Sequence, residues 1–488
     1  MKLTDLLRQV EVVTRTAPDT LEVTGVSCDS RQTRAGDLFV AISGTRDEGY
    51  RHIEQAVGRG AVAIASERPP PPTGPLWIQL THARAALARM ACTIHQNPSH
   101  TLAVYGVTGT NGKTTVAGLF RDALQDAGRK TGLISTVEYA YGERVIAATR
   151  TTPDSCELQG LLASMRGDGC TAAVMEVSSH ALDQHRTGSM RFAGAAFTNL
   201  TRDHLDYHQD FESYFTAKRR LFEQMAEENP GAPAVINRDD PYGARLLDDA
   251  ARLGLRPISY SLEGEADIRA ADLMLDAQGS HFTLVTPAGE VRLEAALLGR
   301  YNVANVLCVT GLALGAGIPL ESVTGTLRRA RPRWGRLEKI ETPHPASIFV
   351  DYAHTDDALA NVLRTLREIA PRRLIVVFGC GGDRDRAKRP LMGRVAATLA
   401  DQAIVTTDNP RTEDPLAIIA EITAGMEGHD FIVEPDRRAA IARALEIAKA
   451  GDIVLIAGKG HETYQEANHR VTAFDDRAEA RSLAANVR

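Results

Sequence analysis

Seven residues, Gly109-Thr110-Asn111-Gly112-Lys113-Thr114-Thr115, put two glycines, an amide, a lysine and three hydroxyls into one short run. Glycines let backbone N–H groups converge on oxyanions, a lysine holds outer phosphates, and the hydroxyl after it can meet Mg2+. Residues 102–107 before the run are apolar and read as a buried strand. After it, Val116, Leu119, Phe120, Ala123, Leu124 and Ala127 recur at helical spacing. Strand, glycine loop and helix N-terminus together make a phosphate cradle, so nucleotide binding is expected. The spacing is not that of the standard phosphate loop, because Val107 stands where its first glycine belongs.

Further polar clusters follow apolar runs. Ala172-Ala173-Val174-Met175-Glu176-Val177 reads as a strand that buries a carboxylate near its end. Such a group needs a cation or a hydrogen-bonding partner, and beside a phosphate loop Glu176 is a Mg2+ ligand candidate, with an arginine pair as the alternative. The strand 195–199 opens into Leu200-Thr201-Arg202-Asp203-His204-Leu205-Asp206-Tyr207-His208. Its histidines and aspartates suit a metal or phosphate site, or equally a solvated helix start. Thr151-Thr152-Pro153-Asp154 reads as a capped helix start whose hydroxyls can also bind an anion. Lys218, in a helical run over 214–222, reads by residue type as a surface lysine. Ser27-Cys28-Asp29-Ser30-Arg31 is a polar turn that can touch a ligand, and Asn305 sits in a helix expected over 299–315. A basic stretch of Arg328, Arg329, Arg331, Arg333 and Arg336 spans a domain joint, where an arginine can close on phosphates.

The last third repeats one pattern. Four apolar runs, 348–351, 374–378, 403–406 and 453–457, each precede a polar cluster, with helical segments between them. That pattern gives a parallel sheet with right-handed crossovers, and ligands gather at the carboxyl ends of such strands. Arg384 and Arg411 can grip carboxylates with two-pronged bonds, while Asp408 and Glu462 can hold an ammonium. The expected ligand is an amino acid with charge at both ends.

At 488 residues the chain exceeds one domain. We read an α/β protein of three domains, 1–97, 98–332 and 333–488. A net charge of −6 gives no field that favours nucleic acid. The first residues are too polar for a signal peptide, and no apolar run reaches membrane-span length. Six scattered cysteines without a Cys-x-x-Cys pair suit reduced thiols in the cytoplasm.

The motifs resemble those of the Mur ligase family. The resemblance rests on Gly-Thr-Asn-Gly-Lys-Thr-Thr at 109–115, Glu-Val-Ser-Ser-His-Ala-Leu at 176–182 and Thr-Asn-Leu-Thr-Arg-Asp-His-Leu-Asp-Tyr-His at 198–208. Asp351-Tyr352-Ala353-His354-Thr355, Asp408-Asn409-Pro410-Arg411 and Gly458-Lys459-Gly460-His461-Glu462 complete it, so it covers nearly the whole chain. It implies an N-terminal domain for a UDP-linked substrate, a central P-loop-type ATPase domain and a C-terminal Rossmann-like parallel sheet. The implied activity is ATP-dependent addition of meso-diaminopimelate to UDP-N-acetylmuramoyl-L-alanyl-D-glutamate through an acyl phosphate, by a cytoplasmic monomer that neither enters a membrane nor binds nucleic acid.

By the same resemblance, Lys113, Glu176, His204 and Lys218 are catalytic, Lys218 carrying a carbamate, and Thr114, Glu176, His204 and Lys218 hold Mg2+. ATP meets Gly109, Thr110, Asn111, Gly112, Lys113, Thr114, Thr115, Asn305, Arg336 and Asp351. The UDP-linked substrate meets Ser30, Thr151, Thr152, Ser178, Gln184 and Arg186. Diaminopimelate meets Arg384, Asp408, Asn409, Pro410, Arg411, Gly458 and Glu462. The chain departs from many relatives at Gly44-Thr45-Arg46-Asp47, where they carry Gly-His-Gln-Ala. Arg411 argues against a lysine-adding relative, the Asp-Asn-Pro-Arg cluster against a folate-polyglutamylating one. A nucleotide-switched binding protein is the alternative from another class.

Overall fold

In a computed structural model, the chain is described over residues 1–44, 48–276, 279–332, 334–370, 372–468 and 470–485. Thr45, Arg46, Asp47 and Arg333 lie outside the described residues. The apolar runs form three main sheets. The first has five strands in the order Val12–Arg15, Trp77–Leu80, Ala63–Ser66, Asp37–Ala41, Gly25–Ser27, with only the Val12–Arg15 edge antiparallel. The strands expected near 36–42 and 61–65 and the helix Ala83–Ile94 are present. Gly25–Ser27, Val12–Arg15 and Trp77–Leu80 are too short to give a readable period.

The second sheet has eleven strands, and its centre explains the site. Ala103–Thr108 lies between Ala172–Glu176 and Phe192–Phe197, parallel to both. Thr131–Ile134 and Pro233–Asn237 extend the parallel core outward. Five carboxyl ends therefore meet along one edge. Strand residues alternate between faces as the pleat requires. Val174 packs with Val116, Phe120 and Leu124 of the helix Lys113–Asp126, while Met175 packs with Leu158, Leu162 and Phe222 on the other face. The β-rich stretch expected over 262–298 is an antiparallel run of Ile268–Asp276, Gly279–Thr286 and Gly289–Ala295.

The third sheet runs Glu338–Ile340, Ser347–Asp351, Ile453–Ala457, Leu374–Phe378, Gln402–Val405, Phe431–Val433, parallel apart from its first edge strand. The four expected strands are all there, and the three-residue strands Glu338–Ile340 and Phe431–Val433 add to them. Helices cover both faces. Among the described residues, no helix is long and apolar enough to cross a membrane.

One ion pair is sealed within this domain. Arg437, at the start of the helix Arg437–Ile447, donates to both oxygens of Asp476 at 2.8 and 2.6 Å and to the Ala457 carbonyl at 3.0 Å. Both side chains have 0% exposure. Removing one partner leaves a buried charge uncompensated, which costs about 3–5 kcal/mol. Asp476→Ala is expected to lower the opening free energy of Ile453–Ala457 by about that amount, read by native-state amide exchange. Unchanged exchange would show that the pair does not hold the sheet.

Candidate active site

The phosphate loop leaves the strand Ala103–Thr108 with Gly109 at φ 146° and enters the helix Lys113–Asp126 through Gly112 at φ 87°. Both positions also lack room for a side chain. A Cβ on Gly109 would stand 1.9 Å from Thr198 Oγ1, and one on Gly112 would stand 2.4 Å from Asn305 Oδ1. The loop is pinned by the end of the neighbouring strand. Asn199 accepts from Thr110 N through its carbonyl and from Asn111 N through Oδ1, and Thr198 Oγ1 donates to the Asn111 carbonyl at 2.6 Å. No side chain caps the helix at Gly112, so its first N–H groups stay available to an anion.

Two lysines converge on this loop. Lys113 Nζ donates to the carbonyls of Gly109 and Thr110 at 2.9 and 2.7 Å. Lys218 Nζ donates to the same Gly109 carbonyl at 2.7 Å. Lys218 is 1% exposed, which corrects the surface reading. Its helix, Phe211–Glu228, turns Tyr214, Lys218, Leu221 and Phe222 to the core. Burial holds Lys113 below the usual lysine range, against the pull of Glu176 and Asp203. Burial and Lys113 push Lys218 lower still.

Glu176 is fully buried, and its two oxygens accept from Thr136 N and Oγ1 at 2.9 and 3.0 Å. Those donors are neutral, so the arginine pair offered as the alternative is not what holds it. His204 has φ 55° and brings Nε2 to 3.3 Å from Asp203 Oδ2, while His208 Nε2 meets Ser179 Oγ at 2.9 Å. Burial lowers His204 to about 3. Thr114, Glu176, His204 and Lys218 line one cavity of about 140 Å³ together with Lys113, Thr151 and Ser178.

A second cavity, about 390 Å³, shares Asn111, Gly112, Thr114 and Arg336 with the first and adds Thr115, Asn305 and Asp351. Of the basic stretch, Arg336 reaches the site. It donates to Thr114 Oγ1 at 3.3 Å, and its guanidinium lies 4.7 Å from the Tyr352 ring centroid. Burial raises Asp351 to about 6, and its oxygens accept from Leu337 N and Ala353 N. Sequence reasoning missed Tyr301, Asp357 and Asn361, which also line this cavity. Asp357 accepts from Asn111 Nδ2 at 3.2 Å and so ties the C-terminal domain to the loop. The helix-start pattern Thr355-Asp356-Asp357 was the available signal.

A third cavity, about 440 Å³, lies where the N-terminal domain meets the central one and holds Ser30, Gln184 and Arg186 beside Arg84 and Arg150. Arg186 Nη2 donates to Gln184 Oε1 and Nη1 to the Thr152 carbonyl, both at 2.8 Å. Thr152 is 1% exposed, its hydroxyl donating to the Glu176 carbonyl and accepting from Ser178 N. It is a strut between the cavities, while Thr151 lines the small cavity. Segment 151–154 thus runs from one cavity to the other.

At the C-terminal sheet edge, Asn409 Nδ2 donates to Glu462 Oε2 at 2.7 Å, and the fully buried Lys459 donates to both Asn409 Oδ1 and Glu462 Oε2. Burial and the nearby Asp408 raise Glu462. Burial works against the Asp408 carboxylate, but Lys459 and Arg437 hold it below the usual range. Gly458 has φ 118°, and a Cβ there would stand 2.5 Å from Asp408 Oδ2. Arg411 Nη1 donates to the Gly382 carbonyl at 2.7 Å, and Gly382 packs on the Pro410 carbonyl. Arg384 is exposed on the same loop, its Cγ 4.0 Å from where a Gly381 Cβ would be. Both arginines and both acids therefore border one sheet edge, with Glu462 already paired to Lys459.

Three family models match the chain. The one described as "Mur ligase family, catalytic domain" matches residues 22–94, "Mur ligase middle domain" residues 107–313, and "Mur ligase, glutamate ligase domain" residues 335–460. The chain is 43% identical to the UDP-N-acetylmuramoyl-L-alanyl-D-glutamate–2,6-diaminopimelate ligase of Geobacter sulfurreducens, over 98% of each chain. It is 44% identical to the ligase of the same name from Solibacter usitatus, over 99% of this chain and 98% of that one. A solved structure bearing that enzyme name is 34% identical and superposes with a TM-score of 0.71, over 99% of this chain and 98% of that one.

The histidines that flank Tyr352 give the fold a pH dependence. The rings of His354 and His461 lie 4.6 and 4.8 Å from the Tyr352 ring. Burial with Lys388 lowers His354 to about 4, and burial with Arg336 lowers His461 to about 3. An unfolded chain takes up these protons near the ordinary value of 6.5. Between those values the unfolded state binds more protons, so stability falls as the pH drops from about 6.5 toward 4. The urea midpoint is expected to be lower at about pH 5 than at about pH 8, and His461→Phe should narrow that gap. A gap of the same size in the variant would remove His461 from the account.

Proposed function

The chain belongs to the Mur ligase family, and from that premise we propose that it joins meso-diaminopimelate to UDP-N-acetylmuramoyl-L-alanyl-D-glutamate in ATP-driven peptidoglycan precursor synthesis. The observation that carries this reading is the position of the phosphate loop. It borders both the 390 Å³ cavity and the small cavity, where buried lysines meet a buried glutamate. Segment 151–154 leads from there to the 440 Å³ cavity, whose arginines suit a diphosphate. A nucleotide at one end and a UDP-linked carboxylate from the other would meet at Lys113 and Lys218.

A carboxylate is a poor acceptor for an amine. Its oxygen first attacks the γ-phosphorus of ATP, releasing ADP and leaving an acyl phosphate. The neutral amine of diaminopimelate then attacks the carbonyl carbon, and the tetrahedral intermediate expels phosphate as the amine gives up a proton. Lys113 and the N-terminal amides of its helix hold the transferring phosphoryl group. The Asn111–Asp357 hydrogen bond keeps the C-terminal domain over the loop, which excludes water from the acyl phosphate.

The donor set fits Mg2+: a hydroxyl on Thr114, a buried carboxylate on Glu176 with neutral partners, and the depressed imidazole of His204. When bound, the ion offsets negative charge on the phosphoryl group. The depressed ammonium of Lys218 favours the neutral amine, the form that combines with CO2, and a carbamate there would supply a fourth ligand, the second that is anionic. Asn305, Arg336, Asp351 and Thr115 would surround the nucleotide, and Ser30, Gln184 and Arg186 the UDP-linked end. Arg411 and Arg384 would take the distal carboxylate of diaminopimelate. Every group comes from one chain, so a monomer suffices, and six free cysteines suit the cytoplasm.

Product mass and phosphate release, measured with ATP, Mg2+ and the UDP-linked dipeptide, are expected with meso-diaminopimelate and absent with L-lysine. Arg411→Lys should raise the KM for diaminopimelate about 10- to 100-fold and barely move that for ATP. Product with lysine would discard the arginine pocket, and no product with either amine would return the chain to a nucleotide-switched binder. Lys218→Ala is expected to abolish turnover, with partial rescue by a small carboxylic acid that replaces the carbamate. An alanine variant with undiminished turnover would refute the modification.

A further inference from the structure

Two thiols and a carboxylate face one another where the N-terminal domain meets the central domain. Cys28 follows the strand Gly25–Ser27. Cys156 lies in the first turn of the helix Ser155–Gly167, and Asp154 is the N-cap of that helix. The two Sγ atoms and an Asp154 carboxylate oxygen all lie within 4.8 Å of one another. Among the described residues this is the one trio of His, Cys, Asp or Glu ligand atoms so closely gathered. Both cysteines are free and half-buried.

Packing alone explains part of this, since both thiols touch the apolar core of the N-terminal domain. It does not explain why the two thiols meet each other and a carboxylate, where one aliphatic pair would fill the space. The cap occupies Asp154 Oδ1, which accepts from Cys156 N and Glu157 N at 3.1 Å. Asp154 Oδ2 takes no part in the cap. Contact with Cys28, burial, and the charges of Asp154 and Asp37 push the Cys156 thiol up. A cation reverses that penalty, because a coordinated thiol gives up its proton. The 440 Å³ cavity, lined by both Cys28 and Asp154, gives an entry path.

We propose that Cys28, Cys156 and Asp154 form a site for a thiophilic divalent cation of the Zn2+ class, bridging the N-terminal and central domains. Two thiolates and a carboxylate supply three ligands of a tetrahedral site and leave a fourth position for water. As each sulfur–metal bond forms, one thiol proton passes to solvent. Mg2+ prefers oxygen ligands, so this site would be separate from the one at the phosphate loop. Its ligands come from two domains, so the cation would couple their arrangement and stabilise the folded chain by mass action.

The test uses the full chain, kept reduced with a phosphine, and Co2+ as the optical probe. One equivalent should bind with thiolate-to-cobalt charge-transfer absorption and the visible bands of a tetrahedral ion, and Zn2+ should displace it. Cys28→Ser and Cys156→Ser should each diminish the charge-transfer band and weaken Zn2+ at least about tenfold, since even an outer-shell partner is worth that much. Asp154→Asn, which still caps the helix, should keep the charge-transfer band while weakening Zn2+. Absence of the band in the unaltered chain would overturn the proposal. So would an undiminished band in either serine variant, or thiols that label equally fast with and without Zn2+.

Discussion

Two lysine side chains donate to one backbone carbonyl, that of Gly109, and the site is arranged around that crowding. Lys113 arrives from the helix that follows the loop and Lys218 from a helix on the other side of the sheet. Burial works against charge on both, with Arg336 adding to it at Lys113 and Lys113 adding to it at Lys218. The carbonyl can take both only because Gly109 holds φ 146° under Thr198. A side chain at that position would push the loop off the neighbouring strand and separate the lysines.

The parallel sheet makes this convergence possible. Ala103–Thr108, Ala172–Glu176 and Phe192–Phe197 run side by side, so the loop, Glu176 and the Thr198-Asn199 pair emerge together. The same geometry serves the C-terminal sheet, where Asp351, Asp408 and Gly458 follow parallel strands. Asp357 joins the two edges through Asn111. Each strand end contributes one or two polar groups, and the site arises from their alignment rather than from any single loop.

The sequence made this part legible because strand ends with polar clusters are local features. Ala172 to Glu176 reads as a strand whatever surrounds it, and the carboxylate at its end demands a partner. Residue type alone puts Lys218 at the surface, although the sequence carries a contrary signal. It falls four residues after Tyr214 and three before Leu221, on the stripe that the helix Phe211–Glu228 buries. Residue type leaves the Thr152 hydroxyl open to a cap or an anion; its bonds to the Glu176 carbonyl and Ser178 N depend on a strand and helix that only the fold brings beside it. Asp357 and Asn361 escaped for the same reason: their role depends on how one domain sits on another, and no periodicity within a segment encodes that. The meeting of Cys28 with Cys156 is likewise a property of the domain contact.

The crowded lysines also divide the charge at the site. Burial and the Lys113 charge push Lys218 well below the usual lysine range, so the neutral amine is favoured there. Burial acts on Lys113 as well, but Glu176 and Asp203 pull the other way. The positive charge beside the loop is therefore concentrated on Lys113, at the N-terminus of a helix whose first amides are uncapped. A phosphate at the loop meets that ammonium and those amides together. The Lys113 charge that receives an anion is also what disfavours charge on Lys218, so the two lysines act on one another without any change in the shape of the cavities.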